Sequence, residues 1–418
     1  MKKSVILPKF LIILIFLSGS CNNKKDTLLL NVIPVAETVG RYSMLNLSDF
    51  TTEIKYIPLE TNDSVLLSDI TDIAYENNKL LVRVRALPSN FYLFENTGKF
   101  CCKIGQFGQG PDDYLSINSV SIFEDFIYLM DRNKMLIYNT RGNLIENNKF
   151  RPNVEYINQG WIKVIPLKKD TFVMNVISMT GSCPKAFLLE MHQSDLRVIK
   201  EYENYELFDK VIQGLSTYET GLLYRFNDEV RTYKIYNDTI FSIGQNMEMK
   251  DVFMFELGKY RPTQSYLAGK EGATDPLEWM KYGEKFIFPK TIVESLNYLF
   301  ISFNFGNHTP EPVEVKSPRG TPSTNTSVCG VFNKVTGVLT LMSQPIKGKF
   351  GFTNDVDGGP VIWPMYISSN NELVTYIQPE EFMEYYNKIK NPSVALKEIA
   401  DKIDIYDNPI VIIAKLKD

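Results

Sequence analysis

Apolar residues in this chain come in short, strand-length runs, and polar turn residues punctuate them at regular intervals. Between about 69 and 104 four such runs follow one another, at 70–75, 79–84, 91–94 and 99–104, and a second set fills about 116–151. Runs this short, rich in Val, Ile, Phe and Tyr and bounded by Asn, Asp and Gly, are β-strands joined by tight turns. The phrases Phe94-Glu95-Asn96-Thr97-Gly98-Lys99-Phe100 and Tyr138-Asn139-Thr140-Arg141-Gly142-Asn143-Leu144 superpose without a gap, one repeat of about 44 residues apart. In each a Gly closes the turn, where the chain needs a positive φ that other residues adopt only with strain. A strand–turn–strand unit returning at about this period cannot bury both faces of its sheet alone, which is the mark of a β-propeller blade.

Continuing the count places further blades at about 160–203, 212–256 and 291–345, and a split last blade at 356–378 plus 408–417. The expected fold is all-β, a six-bladed β-propeller over 46–418 with short helical insertions. One insertion spans about 258–290, where Asp275-Pro276 reads as an N-cap followed by an N1 proline. The other spans about 379–403, where Pro379-Glu380-Glu381 opens a helix with its acids in the first turn. Phe382, Tyr385, Tyr386 and Ile389 recur there at helical spacing and are expected to face the ring. Residues 306–327, rich in Pro, Ser, Thr and Asn, read as one long hairpin loop. The apolar run from Ile410 to Ala414 is expected to complete the last sheet or to close the ring against N-terminal strand material.

Ahead of the ring, residues 1–20 carry Lys2 and Lys3, an apolar stretch from Val5 to Phe16 and then small residues, which is a secretory signal too short to span a membrane. Leu17-Ser18-Gly19-Ser20-Cys21 resembles a lipobox, so Cys21 is the expected lipidation site and residues 21–45 a tether with an N-terminal strand. Losing the signal removes three lysines and takes the formal charge from −4 to −7. Such a chain offers neither a basic stripe for nucleic acid nor a polybasic patch for anionic lipid. Cys101, Cys102, Cys183 and Cys329 lack the spacing of a zinc site or a disulfide framework and read as small buried hydrophobes.

Five stretches carry a family resemblance. Ile127-Tyr128-Leu129-Met130-Asp131-Arg132-Asn133-Lys134-Met135-Leu136-Ile137-Tyr138 looks like an NHL-type blade, although Leu87 stands in the preceding repeat where this one has Asp131. Tyr56-Ile57-Pro58-Leu59-Glu60-Thr61, Gly105-Gln106-Phe107-Gly108-Gln109-Gly110-Pro111, Asn354-Asp355-Val356-Asp357-Gly358-Gly359 and Asn408-Pro409-Ile410-Val411-Ile412-Ile413 resemble the six-bladed β-propeller lipoproteins of Bacteroides-type gut bacteria. The resemblance spans nearly all of the mature chain. It implies a fold and an address at the outer membrane, facing the periplasm or the cell surface, and brings no activity with it.

The candidate chemistry is sparse. The glycines at 105, 108 and 110 precede Pro111 and another strand rather than a helix, so they form a connection and not a phosphate loop. Asn354 to Gly359 looks like a calcium loop, yet aligning Gly358 to the sixth position of an EF-hand puts Pro364 where a bidentate Glu is required. Two carboxylates beside glycines, Asp355 and Asp357, can still accept sugar hydroxyls or hold a calcium ion, and Trp363 close by offers a stacking face. These three are the expected ligand-binding residues. Trp161 and Trp279 are the other indoles, in a chain whose remaining aromatics read as packing between blades. His192 and His308 are the only histidines and belong to different blades, which argues against a His-built metal centre. No catalytic residues and no resident cofactor are assigned. The sequence favours an exported binding or scaffold module for a glycan, a peptide or a partner protein in nutrient uptake. The alternative is a lyase or hydrolase acting on polysaccharide or peptide through carboxylates and calcium.

Overall fold

The computed structural model describes residues 31–84, 89–131, 133–150, 162–176, 184–205, 222–234, 237–271, 275–316 and 322–417. Cys21, Leu87, Trp161 and Cys183, and with them the signal segment, lie outside the described residues.

The chain opens with β1 (Asn31–Ile33), a single helical turn α1 (Val35–Thr38), β2 (Tyr42–Ser43) and β3 (Thr51–Pro58). Antiparallel meanders follow. The first comprises β4 (Ile70–Glu76), β5 (Lys79–Val84), β6 (Asn90–Glu95) and β7 (Phe100–Lys103). The second comprises β8 (Ser119–Phe123), β9 (Phe126–Met130), β10 (Lys134–Asn139) and β11 (Leu144–Phe150). Next come β12 (Ile162–Lys168), β13 (Thr171–Val176), β14 (Ala186–His192) and β15 (Asp195–Tyr202), then β16 (Leu222–Phe226), β17 (Glu229–Tyr233), β18 (Thr239–Ile243) and β19 (Met249–Phe255). After α2 (Gln264–Leu267) and α3 (Pro276–Gly283) the chain continues through β20 (Phe288–Glu294) and β21 (Tyr298–Asn304), a side hairpin of β22 (Val313–Lys316) and β23 (Pro322–Asn325), β24 (Ser327–Asn333) and β25 (Val338–Met342). It ends with β26 (Tyr366–Ile367), β27 (Glu372–Ile377), α4 (Pro379–Tyr386), α5 (Val394–Ala400) and β28 (Ile410–Leu416).

The fold is all-β and propeller-like. Each meander pairs its strands in sequence order, and the first strands touch in the order β4, β8, β12, β16, β20, β26 and back to β4. The second and third meanders join into one sheet of eight strands where β11 runs parallel to β15 at Lys149–Asp195 and Phe150–Leu196. Apolar side chains fill the spaces between neighbouring sheets. Tyr128, Met130, Phe172 and Phe187 pack in one such space, and Leu81, Phe91, Leu129 and Leu136 in another.

The N-terminal segment is part of this assembly and not a mere lead-in. β1 adds in parallel to β19, and β2 in parallel to β25. β3 then forms the outer strand of the last sheet, antiparallel to β28. Within that sheet β28 is flanked on both sides, by β27 and β3. Its side chains alternate, with Ile410, Ile412, Ala414 and Leu416 packing into one core and Val411 and Ile413 into the next. The closing run thus completes the last sheet and meets N-terminal strand material at once.

The helical insertions form where their capping residues stand. The Asp275 carboxylate accepts from the Leu277 and Glu278 amides at 2.9 and 3.1 Å, and Pro276 occupies the first turn of α3. Phe382 of α4 is buried, and Tyr386 and Ile389 pack against the same core. One expectation is corrected: 306–327 is not a plain loop. β22 and β23 pair from Val313–Asn325 to Lys316–Pro322, with Val and Thr supplying strand propensity and Pro322 placed at the end of the ladder.

Candidate functional site

The segment joining β25 to β26 contains all three residues expected to touch a ligand. It begins with the buried Phe352, whose backbone pairs with Ile362, and Thr353, which bridges to Asn46 of the N-terminal segment. Asp355 reaches back to the same segment: its carboxylate accepts from the Ser48 amide at 2.9 Å and the Ser48 hydroxyl at 2.5 Å. Partial burial opposes ionisation there, but the Ser48 donors outweigh it and hold the Asp355 carboxyl below its ordinary range. Asp357 accepts from the Tyr56 hydroxyl at 3.2 Å and from the Gly359 amide at 2.9 Å through one oxygen, while its Oδ2 is buried without a hydrogen-bond partner. Burial first, and the Asp357 carboxylate second, push the Tyr56 phenol well up, so Tyr56 stays a donor. A Cβ at position 359 would stand 2.1 Å from the Tyr56 hydroxyl, so only Gly fits.

Because Tyr56 lies on β3, this loop sits over the outer strand of the last sheet rather than on the axis of the ring. Asp355 and Gly358 are exposed at its crest. Trp363 is half-buried, with its ring 5.5 Å from Phe352 and 6.0 Å from Phe300 between centroids, so one face rests on the core. The segment therefore carries Asp355, Asp357 and a partly open indole as near neighbours in sequence.

The axis carries a second set of charges that sequence reading missed. The Tyr366 hydroxyl on β26 donates to Glu76 on β4 at 2.7 Å, and the Ser369 amide donates to the same carboxylate at 3.0 Å. Arg225 on β16 donates to the Pro166 and Leu167 carbonyls at 2.9 and 3.1 Å, and its guanidinium lies 4.2 Å from the centre of the Phe123 ring. Burial lowers the Arg225 pKa against the pull of Asp228, Tyr366, Glu76 and Glu124. These side chains come from four meanders, the third adding only the Pro166 and Leu167 carbonyls, and they meet at the end of the ring marked by the β4–β5 turn. No spacing in the sequence links them, because each belongs to a different repeat.

The remaining polar clusters are structural. Glu294 is enclosed by Arg231 and Lys334 at 3.1 Å each and by the Tyr224 hydroxyl at 3.1 Å. Asp131 is buried and accepts from the Leu115 and Ser116 amides at 2.9 and 3.1 Å, which fixes the connection from the first meander to the second. In that connection Gly105 to Pro111 forms a loop between β7 and β8, with the Gly110 amide bound to the Asp113 carboxylate at 2.9 Å. Trp279 is buried, stacked on Tyr266 at 4.6 Å, with its Nε1–H donating to the Tyr266 carbonyl at 2.9 Å. His192 ends β14, while His308 closes a short turn after β21, its ring nitrogen 3.0 Å from the Lys285 carbonyl. Cys329 is buried, and Cys101 and Cys102 are half-buried; burial pushes the Cys101 thiol up to about 11, so it is no ready nucleophile. A groove of about 440 Å³ runs beside β15, with Lys185 4.2 Å over the Phe241 ring and Tyr205 largely exposed at its rim.

Solved structures of low sequence identity share this architecture. The chain is similar to a Bacteroides fragilis protein described as exported, at 19% identity and a TM-score of 0.65, covering 93% of this chain and 100% of that one. It is also similar to a DUF4221-family protein from Bacteroides vulgatus, at 11% identity and a TM-score of 0.50, covering 88% of this chain and 98% of that one. Virginiamycin B lyase from Staphylococcus aureus matches at 10% identity over 72% of this chain and 93% of its own, with a TM-score of 0.37 that carries no argument about chemistry. At these identities the first two likenesses speak for the fold alone. No curated protein matches the chain. The family model for DUF4934, a domain of unknown function, matches residues 30–415, and the chain belongs to that family.

Proposed function

We propose that this chain is an exported, lipid-anchored, six-bladed β-propeller that serves as a binding or scaffold module for a glycan, a peptide or a partner protein in nutrient uptake. The blade count rests on the ring of first strands, β4, β8, β12, β16, β20 and β26, each opening a four-stranded unit. Export and anchoring at the outer membrane rest on the signal pattern and on Cys21.

One observation carries the choice of binding over catalysis. The carboxylates of Asp355 and Asp357 are already committed to holding their loop, against Ser48 and against Tyr56 and Gly359. An acid or base catalyst must exchange its proton near neutral pH. A carboxylate held ionised in a fixed position, as Asp355 is, does the opposite: it is a preorganised acceptor for hydroxyl or amide donors. Trp363 adds the open part of an indole on the same segment. The reading calls on no cofactor; calcium enters only as an ion that the same carboxylates could hold.

The test is a glycan and peptide binding screen on the soluble form lacking residues 1–21, run with and without a calcium chelator. Trp363→Ala, and Asp355→Asn with Asp357→Asn, should each weaken a ligand found there about tenfold or more, the loss of one good contact worth on the order of 1–3 kcal/mol. A ligand held as tightly by both variants as by the parent would move the site elsewhere, and turnover of that ligand would favour the lyase or hydrolase reading.

A further inference from the structure

The insertion between β19 and β20 leaves one helix face without a partner. Leu277 and Met280 of α3 are 75% and 52% exposed, three residues apart on one side of the helix. The opposite side is fixed. Trp279 is buried on Tyr266, with its Nε1–H bound to the Tyr266 carbonyl, and Leu267 and Phe286 complete a small core beneath it. The Asp275 cap pins the first turn. The helix therefore cannot roll to bury Leu277 and Met280 without breaking that core and its cap.

The insertion also stands where the chain enters the ring. β1 runs parallel to the end of β19, with Asn31 opposite Phe253. The Glu256 amide donates to the Ile33 carbonyl, and the Ala36 amide to the Glu256 carbonyl, both at 2.9 Å. Ile33 and Val35 share a core with Leu257 and Ile287, and Ile287 follows Phe286, which packs with Trp279. The entry strand and α3 are thus linked through consecutive packed side chains. Asn31 is ten residues beyond Cys21, a reach of about 36 Å at full stretch. A lipid on Cys21 would hold a bilayer within that distance of Asn31. Two apolar side chains dock weakly by themselves, but a short tether raises their effective concentration at the surface to the millimolar range. Stable membrane association ordinarily combines two such signals.

We propose that α3 docks on the bilayer that holds the anchor, with Leu277 and Met280 seated at the boundary between headgroups and acyl chains. The inference rests on the anchored reading of Cys21. A bilayer is favoured over a protein partner because the face is small and the tether ends beside it, whereas a stable protein interface needs a far larger patch. Lys281, exposed on the same side, can lay its stem along that boundary and keep its ammonium among the headgroups. The mature chain is net negative, so apolar burial and not headgroup charge drives the contact, which should survive high salt.

The experiment uses the form lacking residues 1–21, with a histidine tag in their place, tethered to phosphatidylethanolamine–phosphatidylglycerol vesicles that contain a nickel-chelating lipid. This tether keeps the natural reach and does not need Cys21, so docking and lipidation fail separately: lipidation is read from the membrane partition of Cys21→Ala. Leu277→Trp places a reporter on the face. Val335→Trp places one at the exposed turn after β24, which lies at the other end of its sheet from the start of β20, where α3 leads in. On vesicles with brominated acyl chains the indole added at 277 should lose about half its emission or more, measured against the parent and at low and high salt alike. The indole added at 335 should keep its emission, and Met280→Asp combined with Leu277→Trp should restore it at 277. Flotation with the vesicles checks that each variant is tethered, and thermal melts that it is folded. No quenching at 277, equal quenching at both positions, or quenching that Met280→Asp leaves unchanged or that high salt removes overturns the proposal.

Discussion

At the scale of single residues, this molecule uses most of its striking polar groups to hold itself together. Glu229 shows it in a measurable way. Burial works against its charge, but Lys250 at 2.7 Å, the Ser242 hydroxyl at 2.6 Å and Arg231 at 2.5 Å bring its pKa down to about 2. A carboxylate whose pKa is lowered by folding contributes stability above its unfolded value, about 4.3, and loses it as pH falls through the folded value. Parent and Glu229→Gln should therefore differ most in thermal stability above about pH 4.5 and converge towards pH 2. Equal melting points for the two at pH 6 would mean that the pairs around Glu229 contribute nothing. The sequence could not announce this cluster, since Glu229, Arg231 and Ser242 are joined to Glu294 of the next meander only by folding. Asp355, Asp357 and Trp363 were visible because they are near neighbours in the chain; Glu76, Arg225 and Tyr366 were not, because they belong to three different repeats.

At the scale of elements, strand-length apolar runs and turn glycines made most of the ring legible. Gly98 and Gly142 do hold positive φ, 85° and 81°, at equivalent turns of the first two meanders. Asp275 and Pro276 marked α3 by capping chemistry alone. The N-terminal strand expected within residues 21–45 is β1, which adds to β19; what stayed hidden was β2, two residues too short to show a period, which gains its structure from β25. β22 and β23 were masked by the prolines and hydroxyl residues around them. The strongest element is β28, buried on both faces and paired on both edges. Truncating Ile412, whose side chain is fully buried, to Ala should cost about 2–5 kcal/mol in denaturant unfolding. Deleting residues 409–418 should abolish the cooperative melt, since β3 and β27 would be left facing an empty slot with unpaired backbone. A truncated chain that melts like the parent would show that the tail is peripheral.

At the scale of the whole molecule, the expected address depends on one cysteine ahead of the ring. Cys21→Ala should leave export intact and move the protein from the membrane fraction to the soluble one; unchanged partition would remove lipidation from the account. Beyond residue 30 the chain leads straight into contacts at the ring's outer rim, first with β19, then with β25, then with β28. That route has a consequence in time. Pro58 of β3 faces Ile410 of β28 across about 350 residues of chain, and closing a loop of that length carries a length-dependent entropy cost of about 5 kcal/mol. A segment delivered across the membrane N-terminus first would thus hold β3 without its partner until the final residues arrive. Contacts so distant in sequence form slowly, which makes closure of the last sheet the late event in folding. Until then β3, among the first strands of the chain, is left waiting, an open edge that other chains could pair with.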